Sequence, residues 1–214
     1  MRNIFIFCSL VLGAFLVTSC GPKQSIAEID TPYGKMKVLL YESTPQHSAN
    51  FIKLVEEGFY DSLLFHRVIE GFMIQGGDPD SRGAGPNVPL GMGGPGYTVP
   101  AEIGAPHIKG ALSAARTQNP EKASSGSQFY IVQGKGPMSD AEIDSWEQRK
   151  GIKYNQAQRD LYKELGGTPQ LDQDYTVFGE VIEGFDVIDK IAAERTSRER
   201  PINDMWMTIR MISK

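Results

Sequence analysis

Apolar and polar residues are ordered so that the chain reads as a β-rich body with one helical interruption. Residues 26–30 and 35–41 read as two strands, and Thr31-Pro32-Tyr33-Gly34 between them signals a hairpin turn. Thr44-Pro45 then opens a helix, with Thr as cap and Pro at the first helical position. Phe51, Leu54 and Val55 give that helix its apolar spacing, and Gly58 stops it. Two apolar strands follow at about 62–69 and 71–75, parted by Glu70-Gly71. Further strands are expected at 110–115, 128–132 and 175–182. A helix over 185–193 turns Val187, Ile188 and Ile191 inward, and a last strand at 205–212 puts Met207, Ile209 and Met211 on one face.

The interruption lies at about 136–169. Ser139-Asp140-Ala141-Glu142 has the spacing of a capping box, and Ile143 and Trp146 then share a helical face. Asn155 caps a second helix in which Ala157, Leu161 and Leu165 align, and Gly166-Gly167-Thr168-Pro169 ends it. This pair is either a decorative excursion or a wall beside a binding groove. Many strands with turn signals and few helices point to a closed sheet. Residues 76–96 are an irregular loop. Gly91 to Gly96 is no phosphate loop, because no Gly-Lys-Ser/Thr follows and no strand-to-helix junction surrounds it.

Within the 62–75 region, strict alternation puts Phe65, Arg67 and Ile69 on one face and His66 and Val68 on the other. Met73 and Gln75 again share a face. Arg67 is a permanent cation among aromatic, thioether and amide groups. It is either an edge residue packing its stem on the sheet or a charge held there by a partner or a task. His66, opposite it, reads as a hydrogen-bonded structural histidine. His47 and His107 are isolated and lack metal-ligand spacing. Ser113 and Ser127 have no paired base or nucleophile elbow. Asp172 and Asp174 read as turn formers, and Glu56, Glu57 and Glu70 as solvated surface.

Composition adds bounds. The 214 residues are 40% hydrophobic and 22% charged, enough for one core, and the net charge of −4 gives no broad basic surface for nucleic acid. The first residues differ from the rest. Arg2, a short apolar run and Val17-Thr18-Ser19-Cys20 form a secretory signal over 1–19. Val-Thr-Ser-Cys resembles the lipobox of bacterial lipoproteins, which implies cleavage before Cys20, acylation of Cys20, and a lipidated tether over 20–25. The alternative is an uncleaved anchor or an ordinary signal peptide. Cys8 leaves with the signal, so no thiol remains for a disulfide or a nucleophile. The expected location is the cell envelope facing the periplasm, and Gly21 in place of Asp leans toward the outer membrane.

Four stretches carry a wider resemblance: Phe65-His66-Arg67-Val68-Ile69, Gly71 to Asp78, Ser125-Gly126-Ser127-Gln128-Phe129-Tyr130-Ile131, and Val177-Phe178-Gly179-Glu180-Val181. In this order they resemble the cyclophilin-type peptidyl-prolyl cis-trans isomerases. The resemblance implies a mainly β domain over 26–214, an eight-stranded antiparallel barrel capped by two helices, with the 136–169 helical pair inserted. It implies that Arg67 is the catalytic arginine, with Phe72 and Gln75 beside it. Phe72, Met73, Phe129 and Leu171 would form the apolar pocket for the proline ring. Gln75 and Gln128 would hold the substrate backbone, and Ala115, Arg116, Tyr130 and Tyr175 would complete the binding surface. Gln170 stands where eukaryotic members have Trp, which puts tight cyclosporin binding in question. The implied partners are proline-containing polypeptides, with no metal, nucleotide or redox cofactor, and the chain is expected to be monomeric.

Overall fold

The computed structural model describes residues 24–214. The signal segment and Cys20 lie outside them. Strands β1 (Ile26–Thr31) and β2 (Gly34–Leu40) form the expected hairpin, in register from Ile26 opposite Leu39 to Thr31 opposite Gly34. Helix α1 (Pro45–Glu56) starts at its proline, but the Thr44 side chain caps nothing. Its hydroxyl donates to the Tyr41 carbonyl at 3.3 Å. The first free amides of α1, on Gln46 and His47, donate instead to the Glu102 carboxylate at 3.1 and 3.0 Å. A carboxylate from a distant loop suits the positive end of the helix and replaces the local cap.

Next come β3 (Leu63–Leu64), β4 (Arg67–Ile69), β5 (Met73–Gly76), β6 (Thr98–Val99), β7 (Ala111–Ala114), β8 (Ser124–Ser125) and β9 (Phe129–Val132). The insertion is α2 (Asp140–Lys150) and α3 (Gln156–Leu165). The chain closes with β10 (Val177–Glu183), α4 (Phe185–Ala192), the small hairpin β11 (Thr196–Ser197) and β12 (Arg200–Pro201), and β13 (Trp206–Ser213). Among the described residues the main sheet has nine strands in the order β3-β13-β1-β2-β10-β7-β9-β5-β4. Every ladder in it is antiparallel. The ninth strand arises because the expected 62–69 strand is broken. β3 pairs with β13 and β4 with β5, so Phe65-His66 carries the chain from one edge of the curled sheet to the other. The two edges are joined by the chain itself rather than by a ladder.

The break overturns the alternation expected across residues 65–69. Phe65 and Val68 both enter the core, three residues apart, because Phe65-His66 leaves the pleat. The core lies inside the curl. α1 contributes Phe51, Leu54 and Val55, α4 contributes Val187, Ile188 and Ile191, and these two helices are the expected caps. Phe129 meets Phe51, Tyr60 and Phe65 edge-on, at 5.9, 5.6 and 6.3 Å between ring centroids. Each ring buried there contributes about 1.5–3 kcal/mol.

Both inserted helices carry reciprocal capping boxes, Ser139 with Glu142 and Asn155 with Gln158. Their inward faces are more polar than the sequence suggests. α2 buries Ile143 and Glu147, and Trp146 is half-buried under the Arg149 guanidinium, 5.0 Å from its ring centroid. α3 buries Tyr162, whereas Leu161 is 40% exposed. The expected Ala157-Leu161-Leu165 face is displaced because the inner surface offers charged acceptors. Glu147 takes Arg159 at 3.0 Å, and Asp172 takes the Tyr162 hydroxyl at 2.7 Å. Among the described residues no helix is long and apolar enough to cross a membrane.

Candidate active site

Ladder register assembles the site. Arg67 lies opposite Gln75, Gln75 opposite Tyr130, Tyr130 opposite Ser113, and Ser113 opposite Val177. Directly opposed residues share a face, so one transverse row across β4, β5, β9, β7 and β10 presents these side chains together. The neighbouring row, Val68-Ile74-Ile131-Leu112, points the other way into the core. The face bearing Arg67 holds its own small apolar cluster, with Met73, Ala115, Tyr130, Val132 and Val177 buried and Phe72, Leu171 and Tyr175 packed at its margin.

Above that cluster opens a cleft of about 360 Å³. It brings together Arg67, Phe72, Met73, Gln75, Ala115, Arg116, Tyr130, Leu171 and Tyr175. These are nine of the eleven residues expected on the catalytic and binding surface, the other two being Gln128 and Phe129. Gln128 lies one step away, lining an adjoining cleft of about 390 Å³ that shares Gln75, Ala115 and Arg116. Phe129 does not reach the site. A strand that turns Tyr130 into the cleft must turn its neighbour behind the sheet, and Phe129 is 1% exposed inside the core. The expected role of Phe129 in a proline pocket is therefore corrected to one in the barrel core.

The polar groups form a directed chain. Arg67 donates from Nε to the Glu199 carboxylate at 2.6 Å and from Nη1 to Gln75 Oε1 at 3.3 Å. Gln75 Nε2 donates to Gln128 Oε1 at 3.1 Å. Gln128 Nε2 donates onward to the carbonyls of Gly91 and Gly93 at 3.0 and 2.7 Å. Each amide thus has one defined orientation, and two edges of the guanidinium are fixed. Gly77 permits the approach of the β5 exit to β9. It sits at φ +87°, and a Cβ there would lie 2.3 Å from the Ser127 carbonyl oxygen.

Three features of the cleft were not visible along the chain. His66 lines it beside Arg67, because the Phe65-His66 break removes the alternation that would have placed them on opposite faces. Neither of its ring nitrogens has a hydrogen-bond partner among the described residues, so the expected hydrogen-bonded structural histidine is corrected. Burial pushes its pKa down to about 4, and the ring is neutral at physiological pH. Glu199 and Arg198 enter from the β11–β12 turn, 132 residues beyond Arg67 in the case of Glu199. No local pattern announces a partner at that separation. His107, read as isolated, is fully buried and bonded to Asp172 and to the Tyr130 hydroxyl.

On the far side the Arg116 guanidinium lies over Tyr175, 4.7 Å from its ring centroid, and donates from Nε to the Asp174 carbonyl at 2.9 Å. Tyr175 meets Tyr130 edge-on at 5.9 Å. Burial raises the pKa of the Tyr130 phenol well above its ordinary value, so it remains a protonated donor. The arrangement therefore offers a substrate the Arg67 guanidinium, with Arg116 and Arg198 at the margins, two oriented amides and a largely buried aromatic and thioether floor.

A family model described as cyclophilin type peptidyl-prolyl cis-trans isomerase/CLD matches residues 26–212. A Staphylococcus aureus protein described as a candidate peptidyl-prolyl cis-trans isomerase is 36% identical over 177 residues, covering 82% of this chain and 85% of that protein. A Streptococcus pyogenes protein described as a candidate bifunctional phosphatase/peptidyl-prolyl cis-trans isomerase is 38% identical over 192 residues, 86% of this chain. The match spans 37% of the length of that streptococcal protein. A crystal structure of a Cryptosporidium parvum cyclophilin type peptidyl-prolyl cis-trans isomerase superposes with a TM-score of 0.63 at 26% identity, covering 89% of this chain and 99% of that one. A second structure of that protein, determined in the presence of the dipeptide Ala-Pro, gives a TM-score of 0.62.

Proposed function

This chain belongs to the cyclophilin-type peptidyl-prolyl cis-trans isomerases, and from that premise we propose that Arg67 supplies the catalytic charge, acting on proline-containing segments of cell-envelope proteins. The peptide bond resists rotation because the nitrogen lone pair is shared with the carbonyl, a barrier of about 18–20 kcal/mol. Before proline the two isomers are close in energy, yet they exchange over roughly tens to hundreds of seconds. No covalent bond need break. A catalyst must favour the twisted amide, in which the lone pair is localised on nitrogen. A fixed donor cation aimed at that nitrogen binds the twisted state better than the planar one.

The observation carrying this reading is the cleft that gathers the Arg67 guanidinium with Phe72, Met73, Tyr130 and Leu171. Glu199 and Gln75 occupy Nε and Nη1, so the cation needs little reorganisation when a substrate arrives. A barrier lower by about 7 kcal/mol gives an acceleration on the order of 10⁵. A single charged hydrogen bond contributes only about 1.5–3 kcal/mol. The apolar floor supplies the remainder by holding the proline ring and excluding water while the acyl side turns. Gln75 and Gln128 orient the peptide backbone. The Ala-Pro dipeptide used with the Cryptosporidium relative is of the class this cleft would take.

The test is a proline-peptide isomerisation assay. Arg67→Ala is expected to lower kcat/KM by on the order of 10²–10³. Equal activity in that variant would overturn the role of Arg67. The envelope location rests on Val17-Thr18-Ser19-Cys20. Labelling with radioactive palmitate should mark the native chain and not Cys20→Ser. Label in both, or in neither, would overturn the lipid anchor.

A further inference from the structure

The inserted helices end on a buried polar chain that runs to the floor of the cleft. Asp172 is its hub and is almost wholly buried. Its Oδ1 accepts from the His107 backbone amide at 2.8 Å and from His107 Nδ1 at 2.7 Å. Its Oδ2 accepts from two hydroxyls of the insertion: Tyr162 on α3, at 2.7 Å, and Tyr154 in the link before it. A carboxylate only accepts, so His107 Nδ1 carries the proton shared with it, and in the neutral ring Nε2 is then an acceptor. That nitrogen lies 3.0 Å from the Tyr130 hydroxyl, within hydrogen-bond distance. Burial raises the pKa of both insertion phenols, so each keeps the proton it donates.

The hub touches the cleft in a second way. Asp172 ends the short 3₁₀ turn Pro169–Leu171, so the residue before it is Leu171, another part of the floor. The end of the insertion is also packed against the loop segment bearing His107, where Ile108 and Gly167 form an isolated antiparallel bridge. The Thr168 amide donates to the His107 carbonyl at 2.8 Å, and a Cβ on Gly167 would lie 2.2 Å from that oxygen. A larger residue at 167 would push the two segments apart.

We propose that the insertion is a brace for the proline-binding floor: Tyr154 and Tyr162, through Asp172 and His107, hold Tyr130 and Leu171 in place. The inference rests on reading this cleft as the prolyl site. It makes Tyr154, Tyr162, Asp172 and His107 positioning residues that never meet the substrate. Four donors converge on one buried carboxylate, so the hub has one geometry that satisfies them all. Freed of its two insertion donors, the carboxylate can rotate, and the His107–Tyr130 contact and the Leu171 turn loosen with it.

The experiment uses the full chain carrying Tyr154→Phe and Tyr162→Phe together, changes that keep both rings and remove only the hydroxyls. With a succinyl-Ala-Ala-Pro-Phe anilide, KM is expected to rise roughly three- to tenfold, the scale of one or two lost hydrogen bonds, with kcat changed less than about twofold. Hydrogen exchange of the 128–132 and 168–174 backbone should quicken. The same pair placed in Tyr130→Phe should raise KM by a factor at least about threefold smaller, because one arm of the brace is already cut. A lower melting temperature with unchanged KM and exchange would make the insertion a stabilising appendage and overturn the proposal. Equal KM effects in both backgrounds would overturn the route through Tyr130. Turnover retained in Arg67→Ala would instead strike the reading of the arginine and leave these KM comparisons standing.

Discussion

The two sides of the cleft are built on opposite physical terms. On one side the Arg67–Glu199 pair has its side chains 40% and 50% exposed, and Glu199 comes from a two-residue turn. Arg198 and Glu199 both sit there in the left-handed region, at φ +52° and +68°, without being glycine. On the other side Tyr130, His107, Asp172 and Tyr162 are all at most 4% exposed and linked donor to acceptor. A charge that acts at short range keeps its effect while partly wet, and full burial would cost it far more than it gains. A pocket that grips a ring gains from rigidity, and rigidity comes from buried groups that are all satisfied. The electrostatic wall is thus held by a half-exposed ion pair and the steric wall by a buried network.

That contrast can be broken most forcefully at its buried end. Asp172→Ala leaves the donors of His107, Tyr154 and Tyr162 without their acceptor and is expected to cost about 3–5 kcal/mol of stability, read by urea unfolding. A loss below about 1 kcal/mol would mean that the far wall is not held by its network. His66 sharpens the contrast, because it is a buried titratable group on the wetter side. Its pKa falls from 6.5 in the unfolded chain to about 4 in the fold. Between those values the unfolded chain takes a proton that the folded ring refuses. Its contribution, roughly 3 kcal/mol, is therefore complete above pH 6.5 and declines as the pH falls toward 4. Unfolding curves at pH 7 and pH 4.5 should show the drop, and His66→Gln should flatten it. The smallest effect belongs to the exposed pair. Glu199→Gln keeps an acceptor for Arg67 and should change stability by less than about 1 kcal/mol. Its influence on kcat/KM should shrink as salt is added, since exposed charges are screened. A salt-independent effect would place the pair in a drier setting than its exposure implies.

Much of this was legible along the chain where local chemistry decides structure. The first hairpin, the Ser139 capping box and Asn155 cap of the insertion, and the order of the long strands follow from turn residues, caps and apolar runs. Arg67, Phe72, Met73, Gln75 and Tyr130 were legible as a group through the family motifs, and the ladder register explains why they meet. What escaped was set by distance or by departure from a regular period. Glu199 stands beside Arg67 in space but 132 residues further along the chain. His66 moved because two residues leave the pleat, and the same break turned one expected strand into two. Phe129 stands inside the family motif, but strand alternation against Tyr130 turns it into the core. Tyr162 took the inward position on α3 because its hydroxyl satisfies Asp172, a reward that hydropathy alone does not register.

The splice at Phe65-His66 has a further consequence for life in a crowded compartment. It makes the strands at the two rims of the sheet, β3 and β4, only two and three residues long. An open rim of unpaired amides and carbonyls invites a neighbouring chain to add a strand, and that is a common start to aggregation. Here one rim is too brief to template anything, and the other begins with a charged side chain that a docking strand would have to desolvate. The arginine that lines the cleft therefore also guards the barrel's seam.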